Sequence, residues 1–207
     1  MAELFITNLE DDYRSVVAEG LNAIDAGSMI GSGDLVFIKP NLTFPHFREG
    51  VMTTKECVES IVIALKDYTD RIVIGEADSG GYNPFNISEV QEKTGLKALE
   101  KTYGIEVVNL SHYEKRTVQP EHGPPRSTYA LPDMLLDEVA VTVSAAVPKI
   151  HMNTLVSMTV KNLWGCLPIP DLRLKCHPFL KHILFDTVQR LGKTIGIVDG
   201  RYGLNRS

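Results

Sequence analysis

Polar side chains that could bind or transform a ligand follow directly after apolar runs of this sequence. Lys39 and Asn41 follow one run, and Glu76 follows another. A lysine can neutralise an anionic substrate, a carboxylate can transfer a proton, and an amide can fix a ligand. We therefore interpret Lys39, Asn41, Ser79 and Gly80 as ligand-binding residues, because a glycine such as Gly80 lets backbone N–H groups approach an anion. Glu76 is a candidate catalytic residue. The alternative is that these residues only cap helices or form turns.

A denser group of such residues lies in the segment KIHMNTLVSMTVKNLWG, which spans residues 149–165. Lys149, His151 and Asn153 alternate, as side chains do on one side of an extended strand. Desolvation lowers the pKa of a lysine and suits it to acid–base or carbonyl chemistry, although such lysines can also simply neutralise a phosphate or carboxylate. The segment contributes candidate catalytic residues Lys149, His151 and Lys161, and the ligand-binding residue Asn162.

The cysteines and histidines in and after this segment are candidate ligands for a metal ion. Cys176 and His177 are adjacent, and the step from His177 to His182 does not place both side chains on one face of a helix. The sequence contains no CxxC or HExxH pattern. We therefore expect no metal site, and Cys166, Cys176 and His177 are the residues that would form one.

Alternating strand and helix patterns predict the elements that position these residues. Strand–helix–strand alternation implies parallel pairing, so the expected fold is α/β, with a mostly parallel layered sheet flanked by helices. Segment 111–133, which is rich in proline, breaks the alternation, and we expect an irregular excursion or hairpin there, a solvated loop being the alternative. The predicted strands are Leu35–Ile38, Arg71–Ile74, Ile105–Val108, Val139–Val147 and Thr194–Val198.

Capping patterns predict where the helices begin and end. Capping boxes start at Thr53 and at Ser88, each with Glu or Gln three residues later. Gly104 is expected to end the second of these helices, and Pro178 to occupy the first turn of a later one.

The carboxyl ends of the predicted strands bring the candidate residues to one edge of the sheet. Ligands of open α/β sheets bind in the crevice at this edge. Thr53 and Thr54 at a helix start, and Asp199 after the last strand, therefore join the ligand-binding set, with Asp199 expected to position a lysine or a metal ion. This clustering favours an enzyme that acts on a small anionic metabolite or cofactor.

Composition limits the class of protein. The 207 residues are 43% hydrophobic and 23% charged, with a net charge of −5, which argues against nucleic acid as a partner. No apolar run approaches the roughly 20 residues that span a bilayer, and the N-terminus lacks a signal-peptide pattern. Three cysteines are too few for a disulfide framework. We expect a cytoplasmic protein with one domain over residues 1–207.

Several short motifs resemble those of a known family. They are IKPNL (38–42), TT-x₃-V-E from Thr53, IGEA (74–77), PKIHMNTLVSMTVKNLWGCLP (148–168) and IVDG (197–200). Together they resemble the uncharacterised family catalogued as domain of unknown function 362, over about Leu35 to Gly200. The lysine–histidine segment that leads to VKNLWG is the specific motif.

The resemblance implies partners more than it implies a reaction, since the family has no generally assigned activity. Its members are common in anaerobic prokaryotes and are often attached to ferredoxin-like modules that hold iron–sulfur clusters. A redox link to a ferredoxin-like partner is therefore expected, but this sequence has no CxxCxxCxxxC run and cannot hold such a module itself. Members typically continue beyond the IVDG strand, so we expect the C-terminal part of the family to be missing.

Two alternatives to an enzyme stay open. The same residues could serve a non-catalytic anion-binding or sensor protein. A metal or iron–sulfur protein could instead use Cys166, Cys176 and nearby histidines. In each case an exposed sheet edge could support a homo-oligomer.

Overall fold

A parallel five-stranded sheet forms the centre of the protein. The structure is a computed structural model that describes residues 3–9, 12–80, 84–151 and 154–204. The sheet strands are β1 (Leu35–Pro40), β2 (Ile72–Glu76), β3 (Glu106–Asn109), β6 (Val139–Ala146) and β9 (Lys193–Val198). The sheet order is β3-β2-β1-β6-β9, and every neighbouring pair is parallel. Each predicted strand is present, so the α/β prediction is confirmed.

Helices cover both faces of this sheet, so its strands β1 and β2 are buried on both sides. The helices are α1 (Tyr13–Ala23), α2 (Ala26–Met29), α3 (Lys55–Leu65), α4 (Ile87–Lys93), α5 (Leu99–Tyr103), α6 (Asp133–Asp137), α7 (Thr159–Asn162), α8 (Pro170–Cys176) and α9 (Leu180–Arg190). Val36 and Ile38 point into one core with α1, α3 and α4, whereas Leu35 and Phe37 point into the other with α6, α8 and α9. None of the helices in the described part of the chain is long and apolar enough to cross a membrane.

Two antiparallel hairpins lie outside the central sheet. The pair β4 (Lys115–Val118) and β5 (Tyr129–Pro132) confirms the hairpin predicted within segment 111–133. The pair β7 (Lys149–His151) and β8 (Leu155–Ser157) follows β6 directly. The second hairpin therefore delivers Lys149 and His151 to the carboxyl edge of the sheet.

The two predicted capping boxes are wrong, although the helices that they mark are real. Thr54, not Thr53, caps α3, because its hydroxyl accepts a hydrogen bond from the backbone N of Cys57 at 3.2 Å. Asn86 caps α4 by accepting from the backbone N of Ser88 at 2.8 Å. Each cap lies within two residues of the predicted position.

The later helix signals are both shifted. The helix that begins at Ile87 ends at Lys93, so Gly104 does not end it as predicted. Gly104 instead ends the next helix, α5, at φ 64°, a conformation that glycine adopts without steric cost. Pro178 lies in a 3-10 turn, His177–Phe179, immediately before α9 rather than within its first turn.

The order of the strands creates a crevice beside β1. From β1 the chain moves outward to β2 and β3, and it then returns to pair β6 with the opposite side of β1. Connections that leave β1 and β6 therefore diverge at the carboxyl edge. Such a switch point is where open α/β sheets bind their ligands.

Candidate functional site

A pocket of about 420 Å³ lies at this switch point. Its walls come from the segments after β1, β2 and β6, and from α7 and α8. The structure therefore brings together most of the residues that the sequence predicted for the site. The predicted residues in the wall are Asn41, Glu76, Ser79, Gly80, Lys149, His151, Lys161, Asn162 and His177.

A buried ion pair forms the floor of the pocket. Lys39 is fully buried, and its Nζ donates to Glu76 Oε2, to the carbonyl oxygen of Pro40 at 2.7 Å and to Asn162 Oδ1 at 3.4 Å. Burial raises the pKa of Glu76, and the charge of Lys39 opposes that rise. Lys39 therefore lies beneath the pocket and neutralises Glu76 rather than reaching a ligand directly.

The motif KNLWG is shaped to sit on this ion pair. The side-chain amide of Asn162 donates to the carbonyl oxygen of Lys39 at 2.8 Å and to Ser144 Oγ at 3.1 Å, which joins β1 to β6. Three residues later, a Cβ at Gly165 would lie 1.9 Å from Glu76 Oε1 and 2.8 Å from Lys39 Cε. Only glycine allows that approach, so Asn162 and Gly165 position the segment that presents Lys161.

Two lysines of lowered pKa face the pocket. Lys149 donates to the carbonyl oxygen of Val51 at 2.9 Å, and burial together with the charge of Lys161 lowers its pKa to about 8. Burial and the charge of Arg173 likewise lower the pKa of Lys161 to about 8. Lys161 Nζ lies 5.6 Å from the centre of the Trp164 ring. In the described residues, no carboxylate forms an ion pair with either lysine.

Arg173 is a pocket residue that the sequence reasoning missed. It lies on α8, and its guanidinium donates to the carbonyl oxygen of Asp78 and, at 3.4 Å, to that of Leu167. Gly80 lets the loop after β2 approach this helix, since a Cβ there would lie 2.5 Å from Pro170 Cβ. The available signal was Pro170, because proline favours the first turn of a helix. The prediction considered residues that follow strands, and α8 follows none.

Two histidines of lowered pKa complete the wall. Burial and then the positive charge of Lys161 lower the pKa of both His151 and His177. The ring of His177 meets that of Trp164 edge to face, with centroids 5.8 Å apart. Both imidazoles are therefore mainly neutral near pH 7 and able to accept a proton.

Asn41 supplies an amide whose oxygen has no partner among the described residues. The residue is 3% exposed, and its Oδ1 makes no hydrogen bond to any part of the chain that the structure describes. Its backbone N donates to Thr53 Oγ1 at 2.8 Å, which fixes the residue at the pocket wall. Buried polar atoms are nearly always hydrogen-bonded, so this amide is suited to a ligand that supplies the missing partner.

Besides Lys39, three more predicted ligand-binding residues lie outside the pocket wall. Thr53 Oγ1 donates to the carbonyl oxygen of Ala145 at 2.7 Å. Thr54 donates to Asp199 Oδ2 through its backbone N at 2.9 Å and its hydroxyl at 2.8 Å, and Tyr13 donates to Oδ1 at 2.6 Å. Asp199 thus holds Tyr13 and the start of α3 instead of the predicted lysine or metal ion. These contacts tie the ends of the strands to the helices.

The candidate metal ligands are dispersed. Burial raises the pKa of Cys166 to about 12, and Cys176 Sγ donates to the carbonyl oxygen of Thr128 at 3.1 Å. Across residues 3–9, 12–80, 84–151 and 154–204, no three His, Cys, Asp or Glu side chains are grouped to hold a metal ion. Asn153 lies outside the described residues.

Fold and pocket together define an α/β protein with a polar cleft at the carboxyl edge of a parallel sheet. The chain belongs to the family described as "Domain of unknown function (DUF362)", whose model matches residues 36–207. No curated protein matches it. A crystal structure of a protein from Thermotoga maritima is similar with a TM-score of 0.49 and 13% identity, over 92% of this chain and 53% of that one. The chain thus spans about half the length of that protein.

Proposed function

We propose that the protein is an enzyme that binds a small anionic metabolite or cofactor in this pocket and transfers a proton to or from it. The observation that carries the proposal is the convergence of Lys149, Lys161 and Arg173 on one small pocket. The carboxylate in the same wall, Glu76, is already neutralised by Lys39. The described wall therefore has a surplus of positive charge.

This surplus is costly unless an anion occupies the pocket. Burial disfavours the charged form of Lys149 and Lys161 and is the main reason that their pKa values are lowered, and repulsion between the neighbouring cations lowers them further. A phosphate or carboxylate would offset the repulsion and accept charge-assisted hydrogen bonds from the ammonium groups. Its polar atoms could also pair with the amide of Asn41.

Two kinds of group in the wall are suited to proton transfer. An acid or base works best when its pKa lies near the working pH, and Lys161 has a pKa of about 8. His151 is mainly neutral and can accept a proton. In this assignment Lys149, Lys161 and Arg173 bind the anion, and Lys161 and His151 also transfer a proton to or from it. Glu76 sets the charge of the floor through its pairing with Lys39.

Binding is tested by calorimetric titration with inorganic phosphate, pyrophosphate and succinate at pH 7 and low ionic strength. We expect at least one of the three to bind, and Lys161→Met to weaken that binding at least tenfold. Lys175→Met is the matched control, because Lys175 is exposed on α8 and lies outside the pocket wall. Absence of binding by all three anions, or equal affinity in Lys161→Met, would contradict the proposal.

Catalysis is tested separately by incubating the protein with a small-molecule extract and following the anionic components by mass spectrometry. We expect one component to be consumed by the wild-type protein and not by His151→Ala. Tight retention of an unaltered anion by the wild-type protein would instead favour a non-catalytic binding protein.

A further inference from the structure

An apolar groove of about 1440 Å³ lies beside the pocket. It runs between the end of the β7–β8 hairpin and helices α7, α8 and α9. Its apolar side chains are unusually exposed: Val156, Val160, Leu174 and Phe185 are each 51–57% accessible. Contiguous exposed apolar surface of this kind marks a binding surface more often than it marks an ordinary exterior.

The apolar groove and the cationic pocket share one wall. Lys161, Trp164, Arg173 and His177 line both spaces. Val160 and Lys161 are consecutive on α7, so one short helix contributes an apolar side chain to the groove and an ammonium group to the junction. A continuous path therefore leads from a region of positive charge to an apolar surface, past the indole ring of Trp164.

We propose that the ligand of the pocket carries its anionic group on an extended apolar body that lies in the apolar groove. This inference rests on the proposed function, since it assigns the anionic group to the cationic pocket. Charge complementarity fixes the orientation: the anion lies near Lys161 and Arg173, and the apolar body contacts Val160, Leu174 and Phe185. The cationic pocket has a volume of only about 420 Å³, which favours a small amphiphile over a docked protein.

The experiment measures affinity against the length of the apolar body. Inorganic phosphate, methyl phosphate, butyl phosphate and hexyl phosphate are titrated at pH 7, each below its micelle-forming concentration. Burial of one methylene is worth about 0.8 kcal/mol when complete, so affinity is expected to rise on the order of two- to threefold per methylene in an open groove. Inorganic phosphate reports the anionic pocket alone.

Variants separate the two surfaces. Leu174→Gln combined with Phe185→Gln makes the apolar groove polar without adding charge, and both side chains are exposed enough for the fold to tolerate the change. We expect this variant to bind inorganic phosphate as the wild type does and to lose the dependence on chain length. Leu155→Gln is the matched control, because Leu155 is 80% exposed on the β7–β8 hairpin beside the groove but does not line the groove.

The outcomes distinguish this inference from the proposed function. Binding of inorganic phosphate with no gain from the alkyl chain would overturn the inference and leave the proposed function intact. Failure of every alkyl phosphate and of inorganic phosphate to bind would overturn the inference, and it would overturn the proposed function as well if pyrophosphate and succinate also fail to bind. Affinities for butyl and hexyl phosphate that are the same in Lys161→Met as in the wild type would show apolar binding without an anion site, and they would also overturn the inference.

Discussion

Two polar clusters lie at the same edge of the sheet, and they differ in how completely their hydrogen bonds are satisfied. In the Asp199 cluster, formed by Tyr13, Thr54 and Asp199, both carboxylate oxygens accept hydrogen bonds from protein groups. In the pocket, the described residues provide no hydrogen-bond partner for Asn41 Oδ1 and no carboxylate partner for Lys161. Position at the carboxyl edge is therefore common to both, whereas unsatisfied polar groups mark the pocket.

Topology explains why the two clusters differ. The Asp199 cluster joins β9, an edge strand, to the N-terminus of α3, where a carboxylate is stabilised by the helix dipole. An edge strand has only one neighbour in the sheet. The hydrogen bonds of the Asp199 cluster attach the end of β9 to α3, so its polar groups are paired within the protein. The pocket lies where the chain diverges from β1 and β6, and no element of the described sheet closes that crevice.

The largest expected effect comes from breaking the floor of the pocket. Lys39→Met leaves Glu76 buried without its counter-charge, and removal of one member of a buried pair typically costs about 3–5 kcal/mol. We expect a loss of that size in the free energy of unfolding, measured by denaturant titration. The double variant Lys39→Met, Glu76→Gln removes both charges and should recover most of it. An unchanged stability in Lys39→Met would show that the pair contributes little.

A smaller loss is expected from the Asp199 cluster. Asp199→Ala leaves the Tyr13 hydroxyl and the backbone N of Thr54 without their acceptor, and such losses cost about 2–3 kcal/mol. Because this cluster does not line the pocket, the affinity for inorganic phosphate should stay within about twofold of the wild type at a temperature where both proteins are folded. A large loss of affinity with little loss of stability would reverse the assignment and return Asp199 to the ligand site.

The sequence predicts the sheet and the edge of the site, but not which polar residues remain available. Apolar runs located every central strand, and the strand-end rule placed Lys39, Glu76 and Asp199 at one edge. It could not show that Lys39 forms an ion pair with Glu76, or that Asp199 accepts hydrogen bonds from Thr54. Those partners are 37 and 145 positions away in the sequence.

Arg173 shows the opposite limit. Its helix follows no strand, and it reaches the pocket because α8 packs against the loop after β2. Gly80 leaves room there for Pro170, and the Arg173 guanidinium donates to the carbonyl oxygen of Asp78. A rule that considers only the residues after strands cannot identify a residue that reaches the site through tertiary packing. The sequence therefore predicted two of the three cationic side chains in the described pocket wall, Lys149 and Lys161.

The pH dependence of anion binding sharpens the contrast between the clusters. Lys149 and Lys161 lose their protons near pH 8, so affinity for an anion should fall as the pH rises. Sulfate is the suitable probe because its own charge is constant in this range. We expect about a tenfold loss of sulfate affinity between about pH 7 and about pH 9 for each lysine required. Asp199→Ala should show the same profile, and a flat profile in the wild type would contradict a role for these lysines.

The smallest expected effect is on stability, and it has the opposite sign. The pKa of Lys161 is lowered from an ordinary value of 10.5 to about 8 in the folded protein, so above pH 8 the unfolded chain binds more protons than the folded one. The free energy of unfolding of the anion-free protein should therefore rise from about pH 8 towards about pH 9.5. Lys161→Met should reduce this slope, whereas Lys175→Met should not. An identical slope in all three proteins would mean that the fold does not disfavour the charge on Lys161, and the argument that an anion is needed to offset it would fail.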